Sequence, residues 1–317
     1  MTTPLKHSTK QPEKPAAAGS EISAISSPSA HPFLEVLKSR VMVFDGGLGT
    51  QIFAANLQLS DFWNLENCPE VLVLSRPDVI EEIHNSYFAA GADTVETDTF
   101  GASKLTLGEF GLQDRCREIN CAAARLARRA ADAHKTTEKP RFVAGSVGPG
   151  TKSITLGNTT FALMHDSYCQ QVRGLLDGGV DAILIETCFD LLQAKTAVIA
   201  ALDAMDELGN RVPIMVQVTM EQVGTMLLGT DMEAVITTLQ ALPVDIIGMN
   251  CATGPELMRP HVETLSRLCN RYISIQPNAG LPVLHEGKTH FPLGAAELAV
   301  AHRNFVEEFG VNIVGGC

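Results

Sequence analysis

The residues of this chain best suited to chemistry stand just after short apolar runs. In Asp245–Pro255 (DIIGMNCATGP) apolar residues lead through Gly248, Met249 and Asn250 to Cys251, and Pro255 opens a helical pattern. Read as a buried strand, this stretch delivers a cysteine to its C-terminal end, the edge where parallel α/β proteins keep their chemistry. Carboxylates are placed the same way at Asp45, Glu96, Asp98 and Glu186, and further thiols at Cys188 and Cys317. Thr97, Ser146, Asn250 and Asn278 add neutral polar groups. Three gathered thiols suit a soft or borderline cation, Zn²⁺ above all, with a fourth position open. Thiolates held close repel one another, so cluster and cation imply each other. The competing reading is three unrelated packed cysteines, because a free thiol behaves as a small apolar side chain.

The acidic rim could pair with a cationic amino group. Equally, Asp or Glu after a strand caps the next helix or takes loop amides. Asp190 reads as such a cap and Asp98 as a residue holding its own loop. Asp45 lies in a glycine-rich turn (DGGLGT) where backbone can approach a ligand, and Glu186 ends a long apolar strand, so these two are the functional candidates. His84 falls on a helix as a surface or packing residue, and His285 and His290 fall in the loop after the seventh strand as solvated residues. Lys and Arg are sparse at these positions, which gives no sign of a phosphate substrate.

Something must carry those residues to one edge. Strands are expected at Val41–Phe44, Thr94–Glu96, Arg141–Ser146, Ala182–Ile185, Ile214–Val218, the opening stretch, Tyr272–Gln276 and Val311–Gly315. Helical periodicity fills the intervals, for example Ile80, Ile83, Tyr87 and Ala90 after Pro77, or Ile119, Ala122, Ala123, Leu126 and Ala130. Alternation implies parallel pairing through helical crossovers. Eight strands and seven helices in this length match a closed (β/α)8 TIM barrel. An open doubly wound sheet is the alternative, weakened because no GxGxxG opens a helix after a strand. Residues 91–97 (GADTVET) and 179–187 (GVDAILIET) echo each other, which suits repeated units. Residues 1–32, rich in Ser, Pro, Ala, Lys and Thr, read as a disordered tail, so the barrel spans 33–317 and stops at strand 8 without a last helix.

The 317 residues carry a formal charge of −12, which argues against nucleic acid as the main partner. No run of about 18 apolar residues marks a membrane span. Eight cysteines in a chain this long without a secretory h-region read as reduced thiols, and a cytoplasmic location is expected. CxxC, HxH and HExxH are all missing, which counts against a zinc ribbon, a thioredoxin-type site and most His-based zinc hydrolases.

Several of these stretches together resemble the homocysteine S-methyltransferase family. They are 44–50 (FDGGLGT), 91–101 (GADTVETDTFG), 141–149 (RFVAGSVGP), 183–187 (ILIET), 248–255 (GMNCATGP), 276–282 (QPNAGLP) and 311–317 (VNIVGGC), in order from about residue 38 to the end. Within the family the likeness is greatest to the homocysteine-binding barrels of cobalamin-dependent members. The resemblance implies a (β/α)8 fold and Zn²⁺ held by three cysteines. One maps to Cys251 and the first of an adjacent pair to Cys317; the second would be the residue after it. Cys188 is not at a family ligand position. Homocysteine contacts map to Asp45, Gly46, Thr97 and Glu186, the carboxylates meeting the amino group and turn amides the carboxylate.

The implied reaction is zinc-dependent methyl transfer to the thiol of L-homocysteine, giving methionine. The thiolate is the nucleophile, and bound zinc would lower the homocysteine thiol pKa, so no side-chain base is required. The implied donor is methylcobalamin on a separate module, remethylated from methyltetrahydrofolate, with cobalamin-binding and methyltetrahydrofolate-binding modules C-terminal to this barrel. Because one ligand falls beyond residue 317, weak zinc retention and weak activity are expected of the chain alone. Two alternatives remain at this point: a relative using betaine or S-methylmethionine without cobalamin, and a barrel that binds homocysteine or a partner without turnover.

Overall fold

The computed structural model describes residues 31–281, 283–285 and 288–317. The expected tail, up to residue 30, lies outside them, as do the side chains of His285 and His290. Eight strands form one parallel sheet: β1 Met42–Val43, β2 Thr94–Glu96, β3 Phe142–Val147, β4 Ala182–Cys188, β5 Ile214–Val218, β6 Ile246–Asn250, β7 Tyr272–Gln276 and β8 Ile313–Val314. Their order is β1-β8-β7-β6-β5-β4-β3-β2. A parallel bridge between Phe44 and Thr94 joins the two ends, with Asp45 N donating to Thr94 O at 3.0 Å and Asp93 N to Val43 O at 2.7 Å. The sheet therefore closes into a (β/α)8 barrel. Seven crossover helices surround it: α1 Pro77–Ala90, α2 Cys116–His134, α3 Phe161–Gly178, α4 Leu191–Leu208, α5 Met232–Leu239, α6 Pro255–Leu268 and α7 Ala295–Phe309.

The echo in the sequence is a structural device. Gly91, Gly179 and Gly310 end α1, α3 and α7 in the left-handed conformation that glycine adopts freely. Two residues later a short polar side chain accepts an N–H at the start of a neighbouring strand. Asp93 takes Val43 N at 3.0 Å, Asp181 takes Val143 N at 2.7 Å and Asn312 takes Ile273 N at 2.9 Å. Asp245 does the same for Ile214 N at 2.9 Å. Each such bond satisfies an otherwise orphaned donor at the barrel's lower rim and fixes strand register.

Two layers of apolar side chains position the upper rim. Between strands and helices, Val143, Ile183, Val216, Ile247 and Ile275 face Leu175, Ala197, Val198 and Val262 in the largest core cluster. Inside the barrel, Phe44, Ala144, Leu184, Met215, Ile246 and Ile313 fill the lower half. A helix at Pro32–Leu37, not expected from the sequence, plugs that end: Phe33 is fully buried and meets Phe142 edge-on at 5.3 Å. Burying a side chain of this kind is worth about 1.5–3 kcal/mol. Above it the interior turns polar. Gln217 donates to Ser274 Oγ at 2.8 Å, and Gly248 lies so close to β7 that a Cβ there would stand 1.9 Å from Ser274 O.

The expected strands and helices are present with small shifts at their ends. The connection after β1 holds short helices at Leu48–Ala54 and Leu72–Ser75, and a hairpin pairs Val283–His285 with Lys288–His290. His84 is fully buried in α1, so of its two expected places the packing one holds. Among the described residues no helix is long and apolar enough to cross a membrane.

Candidate functional site

The C-terminal ends of the strands bring Asp45, Glu96, Glu186, Asn250, Cys251 and Cys317 around one mouth. Glu186 follows the inward alternation of Ala182 and Leu184 along β4, so its carboxylate points into the barrel and is 5% exposed. Ser146 on β3 donates to Glu186 Oε1 at 2.5 Å, and Asn250 Nδ2 on β6 donates to Oε2 at 3.0 Å. Burial pushes the Glu186 carboxyl up to about 7; those hydrogen bonds pull it down, and the nearby Cys251 charge adds to the rise. Burial also raises Glu96 and Asp45 well above the ordinary carboxylate range, with Glu186 close enough to add repulsion to both.

Asp45 is held by Glu96 N, which donates to Oδ2 at 2.9 Å. Its other oxygen is buried and has no hydrogen-bond partner among the described residues. A buried acceptor left unpaired costs about 1–3 kcal/mol, so this oxygen is suited to a ligand's donor. Gly46 follows in a turn packed under Tyr87: a Cβ there would meet the Tyr87 hydroxyl at 3.1 Å. Thr97 is buried, with its hydroxyl shared between Thr99 Oγ1 at 2.6 Å and Ser146 N at 3.0 Å. It stitches β2 to β3 along the wall that carries Glu186.

Cys251 and Cys317 face each other. The hydrogen bond between the two thiols pulls the Cys251 thiol down to about 6 and raises that of Cys317, a residue exposed at the mouth. Backbone bonds set their separation, with Cys251 N donating to Gln276 O at 3.1 Å, Cys317 N to Pro277 O at 3.2 Å and Gly316 N to Asp45 O at 3.0 Å. Gly315 is required by crowding, since a Cβ would lie 2.8 Å from Phe44 Cβ and 3.1 Å from Gln276 Nε2.

The mouth also carries backbone strain. Thr187, Cys251 and Ala252 have φ of 55°, 59° and 57°, in the left-handed region. For a β-branched threonine this is an outlier costing about 1–3 kcal/mol. It coincides with the register shift between β4 and β5, and Asn250 holds it by accepting Thr187 N at 2.9 Å.

Cys188 is not part of this group. It is buried in the outer core layer, on the far side of β4 from Glu186. Asp190 is the expected cap, accepting Leu192 N at 2.9 Å. Asp98 does not hold its own loop: Oδ2 is buried without a partner among the described residues, and Glu70 clamps that loop by accepting Gly101 N at 2.7 Å. Sequence reasoning missed Glu70, and it missed Gln276, which donates to Glu96 Oε1 at 2.9 Å. The inward alternation Tyr272, Ser274, Gln276 before Pro277 was the signal for the latter.

The two sulfurs suit two positions of a tetrahedral zinc site. Among the described residues no third His, Cys, Asp or Glu joins them at metal-binding distance.

Residues 42–317 match the homocysteine S-methyltransferase family. Over 284 residues, 90% of the chain, the sequence is 50% identical to a methionine synthase of Mycobacterium tuberculosis and 48% to one of Mycobacterium leprae. The chain spans 24% of the length of each. Among solved structures, the homocysteine methyltransferase MmuM of Escherichia coli in its metallated form superposes with a TM-score of 0.71 at 21% identity, over 90% of this chain and 94% of that one. Its oxidized form gives the same score and identity over 91% and 95%. At that identity the superposition speaks for the fold.

Proposed function

The chain belongs to the homocysteine S-methyltransferase family, and from that premise we propose that it is the homocysteine-activating module of a cobalamin-dependent methionine synthase, formed by residues 33–317 and working in the cytoplasm. The observation that carries this reading is the meeting of the Cys251 and Cys317 sulfurs with the Glu186 carboxylate and the unpaired Asp45 oxygen at one mouth.

Each group has a task in that reading. Asp45 Oδ1 and Glu186 accept the ammonium of L-homocysteine, and Gly46 in its turn offers backbone to the substrate carboxylate. Thr97 keeps the Glu186 wall in register through Ser146. A substrate held at both ends of its amino-acid moiety extends its side chain towards the cysteine pair, so the acceptor sulfur is oriented before the methyl donor arrives. Cys251 and Cys317 would hold Zn²⁺, and the donor set fits it in kind, because two soft sulfur donors are brought side by side at the mouth by the backbone bonds of Cys251 and Cys317. When bound, the metal supplies a Lewis acid that keeps the homocysteine sulfur as a thiolate. Methylcobalamin on another module is the donor in this account, regenerated from methyltetrahydrofolate on a third. In this reading both modules would lie outside the 24% of a methionine synthase's length that this chain spans.

The test is transfer itself. Chain kept in excess zinc and mixed with methylcobalamin and L-homocysteine should release methionine and demethylate the corrin, at the low rate expected of the chain alone, and Cys251→Ala should abolish both. Full turnover by Cys251→Ala would overturn the assignment.

A further inference from the structure

Asn250 touches both the carboxylate half and the thiol half of the mouth. It is fully buried at the end of β6. Its Oδ1 accepts Thr187 N at 2.9 Å, which fixes the orientation of the carboxamide. Nδ2 therefore faces Thr187 Oγ1 at 2.8 Å, Glu186 Oε2 at 3.0 Å and Cys317 Sγ at 3.8 Å. Three acceptors compete for two N–H bonds.

We propose that Asn250 is a positioning residue that makes metal binding at the cysteine pair and amino-acid binding at Glu186 favour each other, by moving one N–H between Glu186 Oε2 and Cys317 Sγ. The inference rests on the reading above, in which the cysteines hold a metal and Glu186 holds the substrate ammonium. A thiol sulfur is a weak acceptor, so without metal the two N–H bonds go to oxygen. A metal-bound thiolate is a much stronger acceptor, and a hydrogen bond from outside the ligand shell is a usual way to steady such a sulfur. When Cys317 draws an N–H, Glu186 Oε2 loses its donor and is left bare in a buried site. An ammonium group then restores what the carboxylate lacks. The reverse follows by linkage: an ammonium on Glu186 frees the N–H for sulfur.

L-2-aminobutyrate separates this effect from direct sulfur–metal bonding, because it carries the ammonium and carboxylate of homocysteine but no sulfur. Cd²⁺ is titrated into the purified chain, followed by the ultraviolet thiolate-to-metal charge-transfer band, with and without saturating L-2-aminobutyrate. The native chain should bind Cd²⁺ about tenfold more tightly with the amino acid present. In Asn250→Ala the factor should fall to about one, with both ligands still binding. An unchanged factor in Asn250→Ala, or no coupling in the native chain, would overturn the inference and leave the assignment of the site standing. Failure of Cd²⁺ to reach Cys251 and Cys317 at all would overturn both. Asn250 also pins the strained Thr187, so the variant is repeated in a Thr187→Gly background, where glycine takes the left-handed backbone unaided. The coupling should stay lost there; its return would show that Asn250 only supports the turn, which would also overturn the inference.

Discussion

Ser146 and Glu186 meet across neighbouring strands, the serine hydroxyl donating to Glu186 Oε1 at 2.5 Å in a fully enclosed contact. Their pairing follows from the β3–β4 register, in which Ser146 lies beside Leu184, two residues before the glutamate. The hydroxyl offsets part of the burial that raises the Glu186 carboxyl to about 7.

Removing that donor should therefore weaken substrate binding in a pH-dependent way. A hydrogen bond to a charged group is worth about 1.5–3 kcal/mol, so Ser146→Ala should bind L-homocysteine roughly ten- to a hundredfold more weakly at neutral pH. The deficit should shrink at mildly alkaline pH, where the carboxyl ionises without help. Calorimetry at the two pH values checks this; a deficit that does not change with pH would exclude ionisation of Glu186 as its cause.

Glu186 should also tie stability to pH. Its folded pKa of about 7 lies above the unfolded value of 4.5, so the folded state binds the proton more tightly. That contribution is complete below pH 4.5 and is lost as pH rises through about 7. Glu186→Gln should flatten the dependence in this window by about 1–3 kcal/mol, seen in urea melts across the range. Parallel curves for native and variant chains would refute the assignment.

His84 has the opposite sign. It is fully buried, neither ring nitrogen has a partner among the described residues, and burial lowers its pKa from 6.5 to about 4. Its neutral form belongs to the fold, so the stability it contributes is present above pH 6.5 and is lost as pH falls towards 4. His84→Leu should remove up to about 3 kcal/mol of acid sensitivity, measured as the difference between melts at the two ends of that window. Equal acid sensitivity in the variant would show that His84 is not the group responsible.

Gly248→Ala tests the barrel wall beneath the site. The added methyl group would stand 1.9 Å from the Ser274 carbonyl oxygen, a backbone atom on the next strand that cannot move aside alone. The substitution should cost about 3 kcal/mol or more and lower the urea midpoint accordingly. A variant as stable as the native chain would mean that β6 and β7 lie farther apart than described.

Much of this was legible in the sequence, for identifiable reasons. Strands buried on both faces read as short apolar runs, and Thr94–Glu96, Ile214–Val218 and Tyr272–Gln276 fall where expected. The echo of glycine followed two residues later by Asp in 91–97 and 179–187 was legible as a repeat, though the role of that carboxylate as acceptor for the neighbouring strand needed the pairing to be seen. Asp45, Glu186, Cys251 and Cys317 stood out because each follows such a run. Local pattern could not reveal which side of β4 Cys188 faces, because the register shift after Ile185 breaks the alternation. Nor could it reveal Glu70 or the Pro32–Leu37 plug, whose roles depend on contacts distant in sequence.

X-ray absorption at the zinc edge of the metal-loaded chain tests the central claim most directly. If Cys251 and Cys317 hold zinc with a position open to substrate, saturating L-homocysteine should add one sulfur neighbour at about 2.3 Å, and Cys251→Ala should lose the effect. A shell whose sulfur count stays the same while homocysteine is bound would contradict the account.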